Sequence, residues 1–72
     1  MSNGRNVIPR KFGKIRGKML IKTNVNEQGD LVEVFKEDGQ YHELNLRTGI
    51  RCWANLSMLR CKELFEILEV IK

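Results

Sequence analysis

The stretch LSMLRCKELFEILEVIK, Leu56–Lys72, decides how the rest of this chain is read. At 3.6 residues per turn, Cys61, Leu64, Leu68 and Ile71 fall on one stripe. Met58 and Phe65 widen it on one side and Ile67 on the other, while Lys62, Glu63, Glu66 and Glu69 take most of the remaining surface. Ser57 is suited to cap the first turn with its hydroxyl, and Leu56 to staple against the next. The spacing therefore predicts an amphipathic helix over 56–72. Its apolar arc, roughly half the circumference, exceeds the ~100° that one core requires. Two arrangements satisfy that width. Either the helix sinks deep into a single sheet, or it lies between its own sheet and a second copy. In the second case Met58, Cys61, Phe65 and Leu68 form the interface of a homodimer. Small chains gain by dimerising, because a domain of about 60 residues buries only about 60% of its unfolded surface.

Upstream of this stretch the patterning is that of strands. KFGKIRG, Lys11–Gly17, alternates roughly, but Gly13 and Gly17 mark it as a bent or bulged edge. MLIKTNV, Met19–Val25, alternates better and predicts a strand. Asn26–Asp30 has the composition of a turn. LVEVFKE, Leu31–Glu37, is β-branched and aromatic. Asp38-Gly39 then signals a two-residue hairpin, since a type I′ turn needs positive φ at both positions. Gln40–Arg47 is the return strand, Thr48-Gly49 a second turn, and Ile50–Ala54 a short last strand. With that hairpin, Phe35 opposes His42 and Glu33 opposes Leu44. Leu31, Phe35, Leu44 and Leu46 share one face, and Val32, Val34, Tyr41, Glu43, Asn45 and Arg47 share the other. The first face is the one expected to receive the helix. The expected fold is α+β, an antiparallel sheet of three to four strands followed by one C-terminal amphipathic helix. Residues 1–10 form a flexible basic tail and residues 11–72 a single domain.

Seventy-two residues, 42% of them apolar and 31% charged, suit one globular domain. No apolar run approaches the roughly 20 residues of a membrane span. The opening MSNGRNVIPRK lacks a signal-peptide core, so a cytoplasmic location is expected. Cys52 and Cys61 are then reduced rather than bridged, and with His42 alone for company they offer no zinc spacing. The net charge of +4 is unevenly distributed. Residues 1–26 hold seven Lys or Arg and no acid, whereas residues 27–72 hold six bases and all nine acids. Such an asymmetry fits either a polyanion-binding arm or a solvated, solubilising terminus.

The inventory for catalysis is thin. His42 is the only histidine, Ser2 and Ser57 the only serines, and no nucleophile-elbow or phosphate-loop spacing occurs. No enzyme, cofactor or metal is expected. For binding, Arg10, Lys11, Lys14, Arg16, Lys18, Lys22 and Arg47 are candidate phosphate contacts. Phe12 and Tyr41 are candidate platforms for unpaired bases. Trp53, between Cys52 and Ala54, is read as core first and platform second. The predicted helix has an acidic polar face unsuited to a major groove, which favours single strands over duplex readout.

Two pieces carry a family likeness. Gly17-Lys18-Met19-Leu20-Ile21 resembles the Gly-Lys-apolar-Leu-Ile strand opening of the positive-cofactor-four family of single-stranded-DNA-binding transcriptional coactivators. Ala54-Asn55-Leu56-Ser57, running into Cys61, Leu64 and Leu68, is similar to that family's final strand and capped helix. The resemblance covers about a third of the chain. It implies a homodimer joined through its helices, sheets facing single-stranded nucleic acid, a role in transcription regulation, and phosphate contacts at Lys14, Arg16, Lys18 and Lys22. The expected function is that of a small non-catalytic protein binding single-stranded DNA or RNA through its basic N-terminal strand region and sheet. The alternative is a protein-interaction module, such as a phage-type inhibitor or regulatory subunit, docking through Glu63, Glu66 and Glu69 or through a sheet edge.

Overall fold

The computed structural model describes residues 5–72. Five antiparallel strands form one sheet: β1 Lys14–Met19, β2 Leu31–Glu37, β3 Gln40–Asn45, β4 Arg51–Trp53 and β5 Phe65–Ile71, in the order β4-β3-β2-β1-β5. One helix of four residues, α1 Leu56–Leu59, precedes β5. The α+β expectation is therefore overturned. The fold is nearly all β, and the predicted helix over 56–72 is a single helical turn followed by a strand.

Sequence chemistry explains that correction. Phe65, Ile67, Val70 and Ile71 are β-branched or aromatic and suit a pleated surface. Paired with β1, β5 slips by one residue: Arg16 faces Glu69 and Gly17 faces Ile67, leaving Leu68 as the extra residue of a bulge. Inward positions in β5 thus run 65, 67, 70. The bulge stretches one two-residue step to three, and an i, i+3 apolar step is what a helix shows. The helix that does form is capped by Asn55 rather than Ser57, the Met58 N–H donating to Asn55 Oδ1 at 3.2 Å. With the helical stripe gone, the four residues expected at a helix-mediated dimer interface separate. Phe65 is core, Met58 packs against the core, Cys61 is half-buried, and Leu68 stands exposed on the bulge.

The stretch expected to be only an edge strand supplies β1, which lies inside the sheet between β2 and β5. The strand expected over Met19–Val25 instead leaves the sheet after Met19, and residues 20–30 form a loop. Gly17 explains why β1 tolerates a glycine mid-strand. A Cβ there would meet the Phe65 ring at 2.1 Å and the Glu66 carbonyl oxygen at 2.6 Å. The glycine is the seat of the Phe65 ring.

The hairpin forms as expected. Asp38 and Gly39 have φ of 53° and 79°, and Phe35 faces His42 while Glu33 faces Leu44. The buried face is the opposite of the one expected. Ile15, Met19, Val32, Val34 and Phe65 form the core with Leu59 of α1, and Ile8, Phe12, Ala54, Leu56 and Met58 close over it. Leu31, Phe35 and Leu44 point outward with Lys14, Arg16 and Lys18. Of the expected basic tail, residues 1–4 lie outside the described residues. Asn6 lies against the domain, its side-chain amide donating to the carbonyls of Leu59 at 2.8 Å and Phe65 at 2.7 Å.

Because the Phe65 ring occupies the space above Gly17, Gly17→Ala forces a shift of ring or strand and should destabilise the fold by about 1–3 kcal/mol. Urea denaturation measures this, and a variant as stable as the parent would contradict the packing.

Candidate nucleic-acid interface

The outward face of the sheet is organised in rows that cross the strands, since residues opposite one another in register share a face. The first row is aromatic. Trp53 on β4 faces His42 on β3, and His42 faces Phe35 on β2. Lys14, one step beyond the Ile15–Val34 pair, continues the row on β1 and faces Ile71 on β5. The Phe35 and His42 rings stack with centroids 5.9 Å apart and planes 26° from parallel. The Arg51 guanidinium lies 5.1 Å from the Phe35 centroid and is bonded to Glu37. Trp53 is 73% exposed. That exposure corrects the reading of Trp53 as core. On a three-residue edge strand, odd positions face out once Cys52 faces Glu43 on the buried side.

The second row is ionic. Arg16 sits between two carboxylates, with Nη2 2.8 Å from Glu33 and Nη1 3.3 Å from Glu69. Lys14 reaches Glu33 at 3.3 Å and Lys18 reaches Glu66 at 3.9 Å. Burial alone would raise the Glu33 carboxyl, but hydrogen bonds and charge from Arg16 and Lys14 outweigh it and lower its pKa. Glu33 is therefore ionised and these three bases are locally neutralised. A phosphate arriving there would compete with carboxylates already in place. Lys22, on the loop, lies 3.7 Å from Glu27.

Arg47, itself exposed, is engaged by a buried polar network. Its Nε and Nη2 donate to the two oxygens of Asp30 at 2.7 and 2.9 Å. Asn45 Nδ2 donates to Asp30 and to Asn26 Oδ1, and Asn26 Nδ2 donates to Glu43 at 2.7 Å. All four of these partners are buried, and no fully buried side-chain nitrogen or oxygen among the described residues is left unpaired. The Arg47 hydrogen bonds, with further ones from the Glu27 N–H and Asn45, hold the Asp30 carboxyl well below the ordinary carboxylate range. Burial, and then the Glu43 charge, push the Cys52 thiol up, so it stays protonated.

Four of the bases in no described ion pair, Arg10, Lys11, Lys36 and Lys72, lie toward one end of the sheet. Lys36 lies over the Tyr41 ring at 5.5 Å, and Tyr41 stacks on Phe12 with centroids 5.8 Å apart. Tyr41 and Phe12 thus occupy each other rather than standing free. The Gly13 N–H donates to the Ile71 carbonyl, bringing Lys11 and Lys72 to the same end of the sheet, with Arg10 close by in sequence. Arg10, Lys11, Lys36 and Lys72 are exposed; Lys36 and Tyr41 alternate with the outward Phe35 and His42 and so stand on the closed side of the sheet, over Phe12. Asp38, at the hairpin tip, is the acid there without a described ion pair.

Among the expected site residues, Arg10, Lys11, Phe12, Lys14 and Tyr41 are brought to this end, whereas Arg16, Lys18, Lys22 and Arg47 are engaged by acids away from it. Trp53, expected as core first and platform second, stands as the exposed platform, whereas Phe35 and Lys72 were not among the expected site residues. The Asp38-Gly39 register already placed Phe35 beside His42 and was the signal available. Among the described residues no group of side chains is disposed to hold a metal ion, and no helix is long and apolar enough to cross a membrane. No family model, curated protein or solved structure matches the chain. Of the pieces that resembled the positive-cofactor-four family, Gly17–Met19 end β1, and Ala54–Ser57 lead from β4 into α1, a single turn that β5 rather than a longer helix follows.

The depressed Asp30 carboxyl fixes the sign of an acid effect. Its contribution is fully present above the unfolded-state pKa of about 3.9 and is lost as pH falls toward the lower folded value. Urea denaturation across neutral to acid pH should show stability falling below about pH 4. Asp30→Asn should be less stable at neutral pH and lose less on acidification. Parallel pH profiles for the two proteins would contradict this.

Proposed function

We propose that the protein binds single-stranded nucleic acid, without catalysis, across the end of its sheet that carries Trp53, His42 and Phe35. The observation that carries the reading is the exposed indole of Trp53 at the head of an aromatic row, with unpaired bases beyond its other end. Bases have a π-face whatever their sequence, and stacking on an aromatic is worth about 1–3 kcal/mol per base. Outward aromatics on a sheet are one way proteins hold unpaired bases. Arg10, Lys11 and Lys72 supply the phosphate contacts, in place of the strand bases that Glu33, Glu66 and Glu69 already neutralise.

A second reading has its own support. Below the aromatic row the outward face is charge-balanced and displays Leu31 at 42% and Leu68 at 50% exposure. Aromatic and Arg side chains on a neutral, partly apolar face also suit a protein partner. Salt separates the two.

Fluorescence anisotropy with labelled single- and double-stranded oligonucleotides should show single strands preferred, with log affinity falling against log salt at a slope of about −2 for three neutralised phosphates. Trp53→Ala should weaken binding about tenfold, one stacked base being lost. Arg16→Gln, whose side chain is already held by acids, should change it by about twofold or less. No binding at low salt would overturn the proposal. Binding indifferent to both salt and Trp53 would do so equally, leaving the protein-partner reading.

A further inference from the structure

A cleft of about 230 Å3 opens between the N-terminal segment and α1, lined by Arg5, Ser57, Arg60 and Cys61. It lies beside the start of β5, whereas the aromatic row meets the end of that strand. Seven residues at ~3.3 Å each place it ~20 Å from the row. The two sites do not share residues.

The cleft is built by backbone contacts. Arg5 pairs as an isolated bridge with Cys61, and the Asn6 N–H donates to the Arg60 carbonyl at 2.8 Å. The Asn6 side chain then spans the carbonyls of Leu59 and Phe65. Arg5 and Arg60 are thereby held on either side of one opening, both exposed. Neither appears in a described ion pair, and residues 1–4 contain no Asp or Glu that could neutralise them. Every base on β1, by contrast, has a carboxylate within reach. Two positive groups fixed together repel unless an anion lies between them. Guanidinium forks match the oxygens of a phosphate, and Ser57 and Cys61 line the same space.

We infer that this cleft binds a doubly charged phosphate group, a phosphomonoester or pyrophosphate, held by Arg5 and Arg60 with Ser57 as a neutral donor. Such a group has two sources. It is carried by a small molecule, or it is the terminal phosphate of a nucleic acid. The site does not depend on base stacking at Trp53.

The test is an amide-resolved NMR titration of the full chain with inorganic pyrophosphate, alongside one short oligonucleotide bearing either a 5′-phosphate or a 5′-hydroxyl. Saturable shifts confined to Arg5, Asn6, Ser57, Arg60 and Cys61 are expected. Arg5→Gln and Arg60→Gln should each weaken binding about tenfold, the loss of one charge-assisted contact. Both side chains are exposed, so the variants should keep the parent spectrum elsewhere. Trp53→Ala should leave pyrophosphate binding unchanged, which separates this site from the stacking row. A 5′-phosphate that tightens oligonucleotide binding, and loses that advantage in Arg60→Gln, assigns the group to a nucleic-acid end. Binding of pyrophosphate without such an advantage assigns it to a small molecule. Either result supports the site. Absence of saturable shifts at millimolar pyrophosphate would overturn it. Shifts centred on Lys11, Lys36 and Lys72 would do the same.

Discussion

The contact on which the fold depends is that of the Phe65 ring over Gly17. No other residue type at position 17 leaves room for the ring and for the Glu66 carbonyl behind it. By accepting Phe65, β1 accepts the whole of β5 as a neighbour, and the terminal segment is drawn into the sheet edge rather than across a sheet face. The same contact decides between the two faces of the sheet. The side carrying Ile15, Met19, Val32 and Val34 is closed by Phe12, α1 and the N-terminal segment. The side carrying Phe35, His42 and Trp53 stays open. A helix packed as the apolar spacing suggested would have covered Leu31, Phe35 and Leu44 and buried the row on which the proposed function rests.

The closed side is unusually polar for so small a core. Six apolar side chains are fully buried there, and beside them lie Asn26, Asp30, Glu43 and Asn45. Buried polar groups of this kind are tolerable only when every member is satisfied, and here each is. The network holds together parts of the chain that apolar area would hold in a larger domain. It ties the loop over residues 20–30 to β3, and at its rim it engages the exposed Arg47 through Asp30.

How much of this was legible depends on the range of each determinant. The Asp38-Gly39 hairpin and its register could be read directly, because two adjacent residues specify them. Face assignment could not. Glu43 and Asn45 made the true core face look like the solvent face, and only the partners Asn26 and Asp30, far along the chain, make it habitable. The bulge at Leu68 disguised a strand as a helix, since it depends on pairing with Arg16 and Gly17 just over fifty residues earlier in the chain. The basic residues were easily counted, but their neutralisation was hidden. Arg16 meets Glu33 and Glu69 only once β2 and β5 flank β1. Charge counted along the chain therefore pointed to the strand, whereas charge left over after pairing points to the sheet end and to Arg5 and Arg60.

Trp53 is the only tryptophan in the chain, so its fluorescence reports on the open face alone. The most direct measurement is the emission of Trp53 in the free protein and during titration with an unlabelled single-stranded oligonucleotide. An open aromatic row predicts the red-shifted emission of a solvated indole, quenched to saturation as bases stack on it, with the quenching reversed by added salt. A blue-shifted emission unchanged by any oligonucleotide would contradict it, because the indole would then be buried and the aromatic row closed.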